Sequence, residues 1–238
     1  MRTIARIDIK NNYVIKGINL EGLRKVGDPL KIATKYYNHG IDEIILIDAV
    51  ASLYKRNNLF EVVKEATKNI FVPLTLGGGL RSLKDIENAL KSGADKVALN
   101  SYVTENPKFI KEAVKNFGSS TITIYIEAKK IDYKKWEVYK YYGRERTNID
   151  LLYWIQKIQE LECGEILLTS IDYEGLMRGA DLELIDQVYS KIKVPLIYSG
   201  GIGDRSHLVN LKKKYKNFSI AMASSLHYGK INLKKLSK

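Results

Sequence analysis

Asp8 in the stretch TIARIDIK and Glu127 in TITIYIEAKK interrupt two otherwise apolar, β-branched runs close to their C-terminal ends. An unpaired carboxylate buried in such a strand costs several kcal/mol, so each needs a partner or a task. Lys10 and Lys129, two residues further on, offer a structural pairing. General acid/base catalysis by two carboxylates is the alternative.

Two glycine-rich stretches supply a second kind of chemistry. LGGGLRS (76–82), with Gly78 and Gly79, and SGGIGDRS (199–206), with Ser199, Gly200 and Gly201, each follow an apolar run and precede a helical pattern. Bare backbone N–H groups and a helix start can cradle a phosphate there. The pairs Asn100–Ser101 and Ala223–Ser224 end two further apolar runs beside them. Two such cradles suit a small molecule with a phosphate at each end, whereas tight turning alone could explain a single one.

The elements that must position these groups are short. Strands are expected at 3–8, 43–48, 71–76, 96–100, 121–127, 165–170, 194–199 and 219–224. Helix starts are signalled between them by Asp28–Pro29, by Ser82 with Asp85, and by Asn106–Pro107. Eight strand–helix units in this length predict a (β/α)₈ TIM barrel, with an open doubly wound sheet as the competitor.

An internal repeat favours closure. RIDIK (6–10) returns as YIEAK (125–129), EIILID (43–48) as EILLTS (165–170), PLTLGGG (73–79) as PLIYSGG (195–201), and VALNS (97–101) as IAMAS (220–224). All four offsets lie between 119 and 123 residues, in the same order. The reading is one barrel domain over residues 1–238, built from half-barrels of about 1–118 and 119–238. Asp8 and Glu127 then face each other across the mouth formed by the strand C-termini.

Composition narrows the function classes. The 238 residues carry a net charge of +12, with lysines spread along the whole chain and concentrated only at 211–217, and no nucleic-acid motif accompanies them. An anionic small-molecule substrate fits better than nucleic acid. No apolar run is long enough for a signal peptide or a membrane span, so a soluble cytoplasmic protein is expected. The single cysteine, Cys163, excludes an internal disulfide framework and reads as packing, and no metal-ligand spacing is present.

ARIDIKNNYVIKG (5–17), GDP (27–29), GIDEIILIDAVAS (40–52), LGGGLR (76–81), GADKVALNS (93–101), GEILLTSIDYEG (164–175) and SGGIG (199–203) resemble the cyclase subunit of imidazole glycerol phosphate synthase, over nearly the whole chain. The resemblance implies a lyase of histidine biosynthesis without a cofactor, paired with a glutaminase subunit that docks at the barrel bottom and feeds ammonia through the core. The ammonia would convert a bisphosphorylated formimino-aminoimidazole carboxamide ribonucleotide to imidazole glycerol phosphate and aminoimidazole carboxamide ribonucleotide. Asp8 and Glu127 match its acid/base pair, with glutamate here where the family usually has aspartate.

The resemblance also matches Lys16 to a basic residue of a mobile lid over 11–27, and Glu174 and Gly175 to the loop after strand six. That loop reads EGLMRG (174–179) where the family has Asp-Gly-Thr-Lys, so Leu176 lacks a hydroxyl and Arg178 could supply charge. Arg2, Glu43, Lys96 and Glu165 match a charged gate at the barrel floor, with Asp95 placed to contact the partner. A paralogue delivering ammonia to a sugar amidotransferase, and a non-catalytic phosphate-binding barrel, stay open as alternatives.

Overall fold

A computed structural model describes residues 1–54, 59–216 and 218–233. In chain order its strands are β1 (Thr3–Lys10), β2 (Tyr13–Ile18), β3 (Glu21–Gly27), β4 (Glu43–Asp48), β5 (Leu74–Gly77), β6 (Lys96–Leu99), β7 (Ile122–Asp132), β8 (Lys135–Lys140), β9 (Glu145–Asp150), β10 (Glu165–Ser170), β11 (Leu196–Ser199) and β12 (Phe218–Met222). The parallel ring runs β10-β11-β12-β1-β4-β5-β6-β7 and closes through the pairing of β7 with β10. This is the (β/α)₈ barrel expected from the pattern, and all eight expected strands are its staves. β1 and β7 stand four staves apart, on opposite sides.

Alternation of side chains along each strand builds two cores. Ala5, Ile7 and Ile9 of β1 face the helices and join the large outer core, whereas Ile4 joins Ile45, Ile47, Ala98, Tyr125, Leu167, Ile197 and Ala221 inside the barrel. Helix Pro29–Asn38 starts where Asp28 accepts from the Lys31 N–H, and helix Leu83–Lys91 starts on a capping box between Ser82 and Asp85. The Asn106–Pro107 signal also marks a helix start, but without capping by Asn106. Helix Lys108–Phe117 begins directly after Pro107 without a side-chain cap, and the Asn106 amide donates to the Tyr102 hydroxyl instead.

Two antiparallel hairpins, β2–β3 and β8–β9, extend the staves β1 and β7 beyond the mouth. The chain passes from β1 into the first at Asn11, whose φ of 56° asparagine tolerates, and that hairpin turns at Asn19 and Leu20 (φ 51° and 64°). It passes from β7 into the second at Lys134, at φ 52°, and that hairpin turns at Tyr141, Tyr142 and Gly143 (φ 54°, 61° and 73°). Ile15 and Leu20 of the first hairpin meet Tyr139 of β8 and Tyr142 between β8 and β9, together with Ala49 and Ile171, in a small apolar cluster over the barrel. The segment 11–27 is therefore an ordered hairpin lying shut over the mouth.

Candidate active site

Asp8 and Glu127 end at the mouth on opposite staves, both fully buried. Neither takes the lysine two residues beyond it. The partner sequence reading missed is Arg6, which strand alternation places on the same inward face as Asp8. Its Nε donates to Asp8 Oδ1 at 2.8 Å, Nη1 to Thr169 Oγ1 at 2.7 Å, and Nη2 to the Tyr125 hydroxyl at 2.8 Å. Tyr125 in turn donates to Glu127 Oε1 at 2.8 Å, and the Gly143 N–H donates to Oε2 at 2.9 Å. One guanidinium thus crosses the barrel between the two carboxylates.

The two acids are driven apart electrostatically. Burial works against ionising Asp8, but the adjacent Arg6 guanidinium and Lys16 ammonium outweigh it and hold Asp8 below the usual carboxylate range. Burial pushes Glu127 up to about 7, and its hydrogen bonds from Tyr125 and Gly143 offset that only in part. Near neutrality the site holds an ionised Asp8 and a Glu127 that can carry a proton. Pairs separated in this way are suited to base and acid roles.

Lys16 comes down from the hairpin into the site, 1% exposed, with Nζ 3.6 Å from Asp8 Oδ2 and bonded to Glu174 Oε1. The Asn19 N–H donates to the Glu174 carbonyl at 2.7 Å. Gly175, at φ 82°, lets Gly17 pass so closely that a Cβ would stand 2.3 Å from the Gly17 carbonyl oxygen. Glu174 and Gly175 therefore latch the hairpin, a contact that loop composition alone does not reveal.

The glycine loops form two pockets on either side of this centre. One is lined by Gly78, Gly79, Asn100 and Ser101 and reaches Tyr125, Glu127 and Tyr142. Gly78 (φ 103°) stands against Asp48, whose carbonyl oxygen would lie 2.5 Å from a Cβ. The other is lined by Glu174, Gly175, Ser199, Gly200, Gly201, Ala223 and Ser224. Its lining contains no lysine or arginine among the described residues, and Arg178 is exposed rather than turned into it. Any anion there would rest on backbone N–H groups and the serine hydroxyls.

At the opposite end, Arg2, Glu43, Lys96 and Glu165 form one network. Arg2 reaches Glu43 at 3.0 Å and Glu165 at 2.5 Å, and Lys96 reaches Glu165 at 2.9 Å and Glu43 at 3.5 Å. The carboxylates are buried, whereas the Arg2 side chain is 40% and that of Lys96 18% exposed. Asp95 is exposed beside Lys96, and its carboxylate accepts from the Leu74 N–H at 2.8 Å. Cys163 is buried, which pushes its thiol up to about 12. No described helix is long and apolar enough to cross a membrane.

Residues 2–232 match the family described as histidine biosynthesis protein. The chain is 50% identical over 203 residues to imidazole glycerol phosphate synthase subunit HisF of Legionella pneumophila, covering 85% of this chain and 96% of that protein. It is 41% identical over 232 residues to the subunit of the same name in Bacillus cereus (strain Q1), covering 98% and 92%. The Bacillus cereus (strain G9842) protein is 39% identical over 237 residues, covering 100% and 94%.

Proposed function

The chain belongs to the family of cyclase subunits of imidazole glycerol phosphate synthase in histidine biosynthesis, and we propose on that premise that Asp8 and Glu127 close the imidazole ring on a bisphosphorylated ribonucleotide. Members of this family are lyases that work with a glutamine amidotransferase. The observation that carries the assignment is the pair of buried carboxylates on opposing staves, one held ionised and the other able to hold a proton near neutrality.

Ring closure joins one ammonia nitrogen to two carbons, with loss of water and of the aminoimidazole carboxamide ribonucleotide. The nitrogen, and the methylene carbon that becomes part of the aromatic ring, must shed protons, while the oxygen needs two to depart as water and the departing amine must also be protonated. Asp8 is suited to the first task and Glu127 to the second. The cradles at Gly78–Gly79 with Asn100–Ser101, and at Gly200–Gly201 with Ser199 and Ala223–Ser224, take the two phosphates. Lys16, Glu174 and Gly175 close the first hairpin over the bound substrate and exclude water.

Mixing the purified chain with the ribonucleotide and an ammonium salt tests this. Both products should appear, at a rate that glutamine cannot support until a glutaminase is added. Binding without turnover would instead favour a phosphate-binding scaffold. Neither binding nor turnover would favour delivery of ammonia to a different acceptor.

The longer side chain at 127 is held by two fitted hydrogen bonds, so Glu127→Asp should retract the carboxyl from Tyr125 and Gly143. Turnover is expected to fall by between about tenfold and the ~100-fold cost of a ~1 Å misplacement. Faster turnover in the variant would mean that the glutamate is a defect rather than a fitted part.

The floor network is suited to gate ammonia from a docked glutaminase, with Asp95 at the contact. Lys96→Ala leaves Arg2 still bridging Glu43 and Glu165, and both cations are partly hydrated. The stability cost should therefore be only about 1–2 kcal/mol. In the complex, the variant should hydrolyse glutamine in excess of product formed. A glutamine-to-product ratio unchanged from wild type would reduce the network to structural salt bridges.

A further inference from the structure

We propose that Arg6 is a positioning residue that assigns the two carboxylates their roles, fixing which oxygen of Asp8 stays free and, through the Tyr125 hydroxyl, where on Glu127 a proton can sit. This rests on the acid/base reading of the pair. The argument comes from donor and acceptor counting. A guanidinium only donates, so the Tyr125 oxygen accepts from Arg6 Nη2, and its single hydroxyl proton is left for Glu127 Oε1. The Gly143 N–H can only donate to Oε2. The protein therefore occupies one lone-pair site on each Glu127 oxygen from the barrel and hairpin sides. A proton carried by Glu127 is left the remaining sites, and this side chain lines the cavity that runs to the Gly78–Gly79 cradle.

Asp8 is arranged in the complementary sense. Its Oδ1 is tied to Arg6, while Oδ2 is buried without a hydrogen bond of good geometry, with the Lys16 ammonium 3.6 Å away and the Tyr142 hydroxyl beside the carboxylate. An unsatisfied buried carboxylate oxygen is costly to maintain, and it is the atom able to receive a proton from substrate. The remaining anchors of Arg6, Thr169 Oγ1 at 2.7 Å and Ser199 Oγ at 3.4 Å, come from β10 and β11 and prevent the guanidinium from turning toward either acid alone. The other charged or titratable groups facing this centre are Lys16, Glu174, Tyr142 and His227.

The test removes one link at a time. Tyr125→Phe keeps the ring and deletes the bridging hydroxyl, so the charged form of Glu127 loses a hydrogen bond. Its titration, followed by carboxyl ¹³C NMR of the substrate-free protein, should move about one pH unit upward. Arg6→Lys keeps a positive charge beside Asp8 but cannot reach Tyr125 and Thr169 together. At constant free ammonia it should lower kcat at least 30-fold and leave KM for the ribonucleotide within about threefold. An unmoved Glu127 titration in Tyr125→Phe, or equal losses in kcat and affinity in Arg6→Lys, would overturn the proposal and leave Arg6 a packing ion. The NMR titration needs no substrate, so it stands even if the ribonucleotide proves not to be turned over, an outcome that would count against the acceptor alone.

Discussion

Asp8→Asn is expected to lower ammonium-dependent turnover by roughly 100- to 10,000-fold, equivalent to about 3–5 kcal/mol of transition-state stabilisation. The substitution is isosteric, and an amide oxygen can still accept from Arg6 Nε. What is lost is the basic Oδ2, which stands 3.6 Å from the Lys16 ammonium and is not tied to Arg6. Arg6 keeps Tyr125, Thr169 and Ser199 as acceptors, so the variant should fold. Steady-state rates at saturating ribonucleotide, alongside a circular-dichroism melt, separate the cases. Turnover within threefold of wild type would remove Asp8 from the chemistry, and an unfolded variant would make it only the counterion of Arg6.

Lys16→Met should unlatch the first hairpin. Lys16 is the only cation described as paired with Glu174, and deleting one partner of a buried pair costs about 3–5 kcal/mol if the other stays buried. The chain can avoid that cost by lifting the hairpin, which would let water reach Asp8 and Glu174. The penalty is therefore capped by the free energy of opening β2–β3. Opening surrenders the Ile15 and Leu20 contacts and the Asn19 bond to Glu174, but leaves every stave intact. Hydrogen exchange should show amide protection lost over residues 14–18 and retained in β4, β10 and β11. Turnover should drop about tenfold or more, because the site is no longer closed to water. Protection at 14–18 equal to wild type would show that apolar contacts alone hold the lid.

The staves were legible because parallel barrel strands are buried on both faces and read as compact β-branched runs bounded by turn residues. EIILID and EILLTS coincide with β4 and β10 residue for residue. The second hairpin was not legible. Residues 131–150 are rich in lysine and tyrosine, the bend from β7 into β8 falls on Lys134 in the left-handed region, and in the β8–β9 turn a lone glycine, Gly143, follows two left-handed tyrosines. Asp8 and Glu127 stood out as charges in apolar runs, yet Arg6 and Tyr125, two residues before each, carry the same inward parity and passed as ordinary strand residues. Lys16 drew notice only through resemblance, since nothing local tells a solvated loop lysine from one folded into a barrel mouth.

The guanidinium across the barrel also bears on how the two halves depend on one another. Arg6 belongs to the first half, and Tyr125, Thr169 and Ser199, which accept from three of its bonds, belong to the second. The floor repeats the arrangement, with Arg2 donating to Glu165 and Ser219. A fragment ending near residue 118 would keep the Arg6–Asp8 pair but lose the three acceptors across the ring, whose place water would have to take. Neither segment by itself supplies the full set of partners for its own buried charges. Both layers of charge therefore gain their full set of partners only when the ring is closed, and complementation between separately expressed halves is the natural way to observe it.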